Sequence, residues 1–244
     1  MEPLYKPEAV AHHSPALNGR PVASQRWSEL MFLHWRVLPS AVAPLLPEGL
    51  RPDTFDGDSW VGLIPFVLDR ATVLGSPPIP YFGSFVEVNV RLYAVDAQGR
   101  RGVVFVSLEA SRLAAVLAAR ALFSLPYQWS ATSLIRTGRQ LHYRSRRHFA
   151  ADTRSSILAE HSDRAIEGDA LADFLTARWA LFTSVRGRTT YLRNSHEPWP
   201  LFEARLIALD DTLLIAAGFP GLAARKPDSI LYSPGVTTWF APGK

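Results

Sequence analysis

The chain has 244 residues, 48% of them hydrophobic and 20% charged, and a formal net charge of +4. That size and balance suit one large globular core and exclude a disordered, collagen-like or repeat-built chain. There is no cysteine, so disulfides, cysteine-held zinc, iron–sulfur clusters and thiol nucleophiles are excluded, and the composition suits a reducing cytoplasm.

Residues 1–25 carry Pro3, Pro7, Pro15 and Pro21 without periodicity and read as an extended arm, which leaves 26–244 as a single domain. The N-terminus has no apolar signal core, and no apolar run reaches the roughly 18 residues of a membrane span. A cytoplasmic protein that does not bind membranes is expected. Residues 39–48 predict a short helix between prolines, and 60–68 (WVGLIPFVL) a buried strand. The proline-rich 75–83 is a stiff loop. In 85–95 the residues alternate: Phe85, Glu87, Asn89, Arg91 and Tyr93 share one face, and Val86, Val88, Val90 and Leu92 the other. The turn DAQGR then leads into 101–110, which makes a hairpin.

Residues 111–123 predict a helix with Ser111 as its N-cap, stopped by Ser124-Leu125-Pro126. The segments 127–137 and 139–147 form a strand pair around Gly138. Residues 169–183 begin as a helix and turn to strand near Trp179, and 188–197, 199–209 and 230–244 read as further strands. The hairpins and three or four helices imply an α+β protein built on a barrel or sandwich.

No GxGxxG, GxxxxGK[ST], GxSxG or HExxH motif occurs, and the seven histidines are scattered, so neither a cofactor nor a metal is expected. All but Lys6, Lys226 and Lys244 of the 26 basic residues are arginine. Their densest run, Arg144, Arg146, Arg147 and His148, reads as a solvated strand end, and no nucleic-acid partner is expected. What remains is polar groups on apolar strands. On pattern alone, the Glu87 face is either an exposed sheet surface or the wall of a polar cavity. In the second case burial would raise the Glu87 carboxyl toward the range a general acid or base needs. Tyr127 follows a helix-stopping proline and could orient a carbonyl. His196, in the rigid corner His196-Glu197-Pro198-Trp199-Pro200, is an acid–base candidate or a packed core histidine.

Nine stretches together resemble the YqjF-like family of unknown function: 30–37, 46–50, 53–66, 85–93, 105–112, 119–127, 143–147, 174–183 and 196–205, with YSPGV at 232–236 as a tenth. The family is distantly similar to acetoacetate decarboxylase-like proteins. That resemblance implies a closed antiparallel β-barrel or cone with flanking helices and an interior pocket. It aligns the run from Arg120 through Pro126 with the relatives' Arg-Glu-x-x-Gly-x-Pro-Lys-Lys motif, placing Tyr127 where their Schiff-base lysine stands and Gln128 beside it. Glu87 resembles the relatives' active-site glutamate.

A phenol forms no imine, so a Schiff-base decarboxylase is not expected. Two classes of function are weighed. One is a cofactor-independent lyase or isomerase acting on a carbonyl or carboxylate compound, with Glu87 and Tyr127 catalytic and Arg91, Arg120, Asn89, Gln128 and His196 binding substrate. The other is a non-catalytic binding or structural protein. A homo-oligomer is expected in either case.

Overall fold

The computed structural model describes residues 6–17 and 19–241, with the backbone alone at 122 and 123. Residues 6–17 and 19–22 hold neither helix nor strand. Strand β1 (Ala23–Val37) begins inside the segment read as an arm and covers residues where no strand is expected from the sequence. After helix α1 (Pro39–Val42) and a 3-10 turn come β2 (Arg51–Pro52), β3 (Ser59–Val73), β4 (Phe85–Val95) and β5 (Arg101–Ala110). Helix α2 (Leu113–Phe123) leads to β6 (Tyr127–Thr137), β7 (Gln140–Arg147) and β8 (Arg154–Ala165), the last also unanticipated. Helix α3 (Ala170–Thr176), β9 (Ala180–Val185), β10 (Arg188–Ser195), β11 (Phe202–Asp211), α4 (Leu213–Ala216) and β12 (Ser229–Phe240) complete the order.

The twelve strands join one sheet, in the order β10-β9-β5-β6-β7-β8-β11-β12-β1-β3-β4-β2, and further pairings link β5 to β4 and β10 to β12. Two pairings correct the all-antiparallel expectation: β5 runs parallel to β6 and to β9. For β6 the physical reason lies in the connection: α2 intervenes in place of a tight hairpin, and the chain enters β6 beside Leu108 near the end of β5 and runs on in the same direction.

Local chemistry sets the element ends. Asp169 caps α3 by accepting from the backbone N–H groups of Leu171 and Ala172. Helix α2 ends at Ser124, which takes a left-handed conformation at φ 52° ahead of Pro126. Its N-cap is Arg112 rather than the expected Ser111, and no side chain caps it.

The core has apolar layers on both faces of the β1-β3-β4 region. Leu33, Trp35, Leu63, Val88, Val90 and Leu92 belong to one. Phe32, Ile64, Phe66, Phe85 and Ala110 belong to the other, where Ala172 of α3 and the loop residues Trp199 and Leu201 add cover. The polar face of β4 is therefore inside the protein. Among the described residues no helix is long and apolar enough to cross a membrane.

Candidate functional site

The site grows from the register of three strands. In β4, Glu87 lies opposite Phe66 of β3 and Ala110 of β5, and Asn89 lies opposite Leu108. Leu108 is also the partner of Tyr127 at the start of β6, so Asn89, Leu108 and Tyr127 form one cross-strand row. The stop at Ser124 and Pro126 thus delivers the phenol to the face that carries Glu87.

There the Tyr127 hydroxyl donates to Glu87 Oε2 at 2.8 Å, and Asn89 Nδ2 donates to Oε1 at 3.4 Å. Glu87 is 2% exposed, and Tyr127 packs against the surrounding apolar cluster. Burial pushes the Glu87 carboxyl up to about 7, against the two hydrogen bonds that favour its charged form, and the Glu109 charge raises it further. Burial and the facing carboxylate hold the Tyr127 phenol well above its usual range. The Oδ1 of Asn89 is buried without a hydrogen-bond partner among the described residues. Turned over, that amide would accept from a protonated Glu87, so the trio accommodates both protonation states.

Further along β4, Arg91 donates from Nε to the Tyr93 hydroxyl and from Nη2 to the Leu175 carbonyl, both at 3.0 Å, and lies 5.5 Å from the Phe32 ring centre. His34 of β1 reaches the same hydroxyl through Nε2 at 2.6 Å. Burial, then the charges of Arg91 and Arg178, hold His34 well below its usual range, so it is neutral. In register, His34 and Arg91 flank Gly62, where a Cβ would lie 3.1 Å from the His34 ring and 3.2 Å from Arg91 Cγ. The missing side chain is what lets the two approach.

His196 is buried among Trp27, Trp179 and Trp199, and its Nδ1 donates to the Glu197 carbonyl at 2.6 Å. Burial brings it down to about 4, the Glu197 carbonyl opposes this, and the Arg91 charge adds to it. The structure thus gathers Glu87, Asn89, Arg91, Tyr127 and His196 on or around the inner face.

It does not gather the other two. Arg120 is exposed on α2. Gln128 pairs with Glu109, which pairs with Val88, so it projects from the opposite face, as a residue one position after Tyr127 must. Glu109 is fully buried and structural: Ser130 donates to it, and Arg147 grips both of its oxygens, Nη2 at 2.7 Å. Arg147 is therefore half-buried, unlike the rest of the solvated run. His34 is a further site residue that the sequence reading does not name, although a histidine inside the apolar run 30–35 is a usable signal. Cavities of about 420 and about 60 Å³ lie elsewhere and are lined by neither Glu87 nor Tyr127. Among the described residues no group of three acidic, histidine or cysteine side chains could hold a metal.

Residues 24–237 match the family DUF2071, described as an uncharacterized conserved protein. The chain belongs to this family. It is 31% identical over 223 residues to the uncharacterized protein YqjF of Bacillus subtilis (strain 168), which covers 87% of this chain and 91% of that protein. Among solved structures it is similar to the enduracididine biosynthesis enzyme MppR, complexed with the condensation product of pyruvate and imidazole 4-carboxaldehyde. The TM-score is 0.60 at 14% identity, covering 92% of this chain and 89% of the other. An acetoacetate decarboxylase from Legionella pneumophila gives a TM-score of 0.62 at 13% identity, with 94% and 89% covered. At these identities the likeness is one of fold: this DUF2071 chain is mostly sheet with few helices, as in acetoacetate decarboxylase-like proteins.

Proposed function

We propose that the protein is a cofactor-independent enzyme acting on a small carbonyl or carboxylate compound, without a Schiff-base lysine. The observation that carries this reading is the Tyr127–Glu87 hydrogen bond in a buried, apolar setting. A carboxyl raised to about 7 is divided between acid and base near neutral pH, so it can take a proton and return it. The Glu87 carboxylate would take a proton from the carbon next to a carbonyl. The C–H pair would become the new C=C bond and the carbonyl pair would move onto oxygen. Tyr127, released from the now neutral carboxyl, would donate to that enolate oxygen. Arg91 and Asn89 line the same face and suit a substrate carboxylate and its neighbouring oxygen. His196, neutral at physiological pH, would seal the far wall. The reading includes an interior pocket in a closed barrel or cone, and it is supported by the pairings that run from β5 through β6, β7, β8, β11, β12, β1, β3 and β4 back to β5.

Of the three lysines, Lys6 and Lys226 are exposed and Lys244 lies outside the described residues. That favours enolate chemistry over imine chemistry, and it also motivates the second reading, a pocket that binds without reacting. Incubation with pyruvate in D₂O, followed by proton NMR of the methyl group, separates the two. Exchange above the buffer rate is expected, falling about 10²-fold or more in Glu87→Gln and Tyr127→Phe. Exchange that is the same in wild type and both variants would overturn the assignment, and saturable binding with no exchange would favour the second reading. Borohydride reduction with pyruvate is expected to leave the intact mass unchanged; one adduct per chain would contradict the lysine-free mechanism.

A further inference from the structure

Tyr93 is six residues beyond Glu87 on β4, about 20 Å away at roughly 3.3 Å per residue. It borders a second charged cluster that the proposed chemistry does not use. Asp53, 1% exposed, is held between Arg101 and Arg178, with Arg178 Nη1 2.6 Å from Oδ2. The Arg178 side chain is 3% exposed. Its Nε donates to the Phe174 carbonyl at 2.7 Å, and its plane lies over Phe174 and Tyr93. Its Nη2 is buried with no hydrogen-bond partner among the described residues.

The cavity of about 60 Å³ is lined by Arg178, Arg101, Arg193, Tyr191, Trp179 and Glu8, among others. The N-terminal segment is strapped across it. The Glu8 N–H donates to the Gly99 carbonyl, Arg101 Nε to the Glu8 carbonyl, and Trp179 Nε1 to the Ala11 carbonyl at 2.8 Å. The wall carries three guanidiniums and one acidic residue, the exposed Glu8, while Asp53 pairs with Arg101 and Arg178 from outside the lining, so the local charge is three positive to two negative. Arg100, stacked on Tyr191, is already matched by Asp96. Asp53 already pairs with the Arg178 charge, but the buried Nη2 donor left bare is costly unless something accepts from it. The volume exceeds the space one water occupies but falls far short of the roughly 300 Å³ of an organic-ligand pocket.

We propose that this cavity is a binding site for one small monovalent anion of formate or chloride size, held by Arg178, Arg101 and Arg193 and closed by the N-terminal segment. It is separate from the Glu87 site. The test is a titration of the full chain with ¹³C-formate by NMR and with chloride by thermal melting, at ionic strength held constant with gluconate, which is too large to enter. One saturable site per chain and a rising Tm are expected for formate and chloride, and no rise for gluconate. Arg193→Gln, at a half-buried wall position, should weaken binding about tenfold, as expected for a unit charge within several ångströms at intermediate dielectric. Glu8→Gln removes an acidic lining residue from an exposed position and should tighten binding several-fold. No saturable site, an equal rise with gluconate, or two variants that shift affinity in the same direction would each overturn the proposal and assign the cavity to water.

Discussion

Replacing Glu87 by glutamine tests the electrostatics of the inner face through stability, without a substrate. In the unfolded chain this carboxyl titrates near 4.5 and in the folded protein at about 7. Below 4.5 both states are neutral and the site carries no penalty. As pH rises through that window the unfolded chain ionises first, so stability is lost, and above 7 the loss is complete. At about 1.4 kcal/mol per pH unit it amounts to ~3 kcal/mol. Glutamine keeps an acceptor for Tyr127 and has no charge to bury. Glu87→Gln should therefore match wild type at pH 4 and exceed it by ~3 kcal/mol at pH 8 in urea denaturation. The comparison is made as a difference because Asp211, raised by burial to about 6, and His196, lowered to about 4, tilt both curves alike. A gap that stays constant from pH 4 to 8, or a wild type more stable at pH 8, would refute the claim that burial dominates at Glu87.

Other perturbations address the frame around the site. Arg147→Ala leaves the Glu109 carboxylate buried with only Ser130 for a partner, so equilibrium unfolding should show a loss of about 3–5 kcal/mol. Gly235→Ala drives a Cβ into the Trp27 carbonyl at φ +116°, where β12 pairs with β1, and should cost roughly 3 kcal/mol or prevent folding. Gly138→Ala, at φ +59° with open space around it, is the control and should cost about 1 kcal/mol. Similar losses at the two glycines would show that strain, and not the close approach of the β1 backbone, sets the effect.

Much of the local structure was legible in the chain. The hairpin from Phe85 to Ala110 follows from alternation over 85–95 and the DAQGR turn, and the end of α2 follows from Pro126. Period-two alternation placed Glu87, Asn89, Arg91 and Tyr93 on one face. It could not say whether that face meets water, because its cover comes from Ala172, Trp199 and Leu201, distant in sequence. β1 was hidden for a related reason: over residues 30–35 it is buried on both faces, so it shows no alternation to read there.

The same boundary divides the site. Residue type and spacing singled out Glu87 and Tyr127, and alternation by itself separates Tyr127 from Gln128. Only the tertiary structure supplied the 2.8 Å contact between residues 40 positions apart, the grip of Arg147 on Glu109 and the approach of His34 to Tyr93 across 59 positions. Local sequence sets the direction in which a side chain leaves the backbone. Which groups then meet, and how little water is left between them, depends on strand register and on the helical connection that brings β6 alongside β5, and these are settled only when the whole sheet assembles.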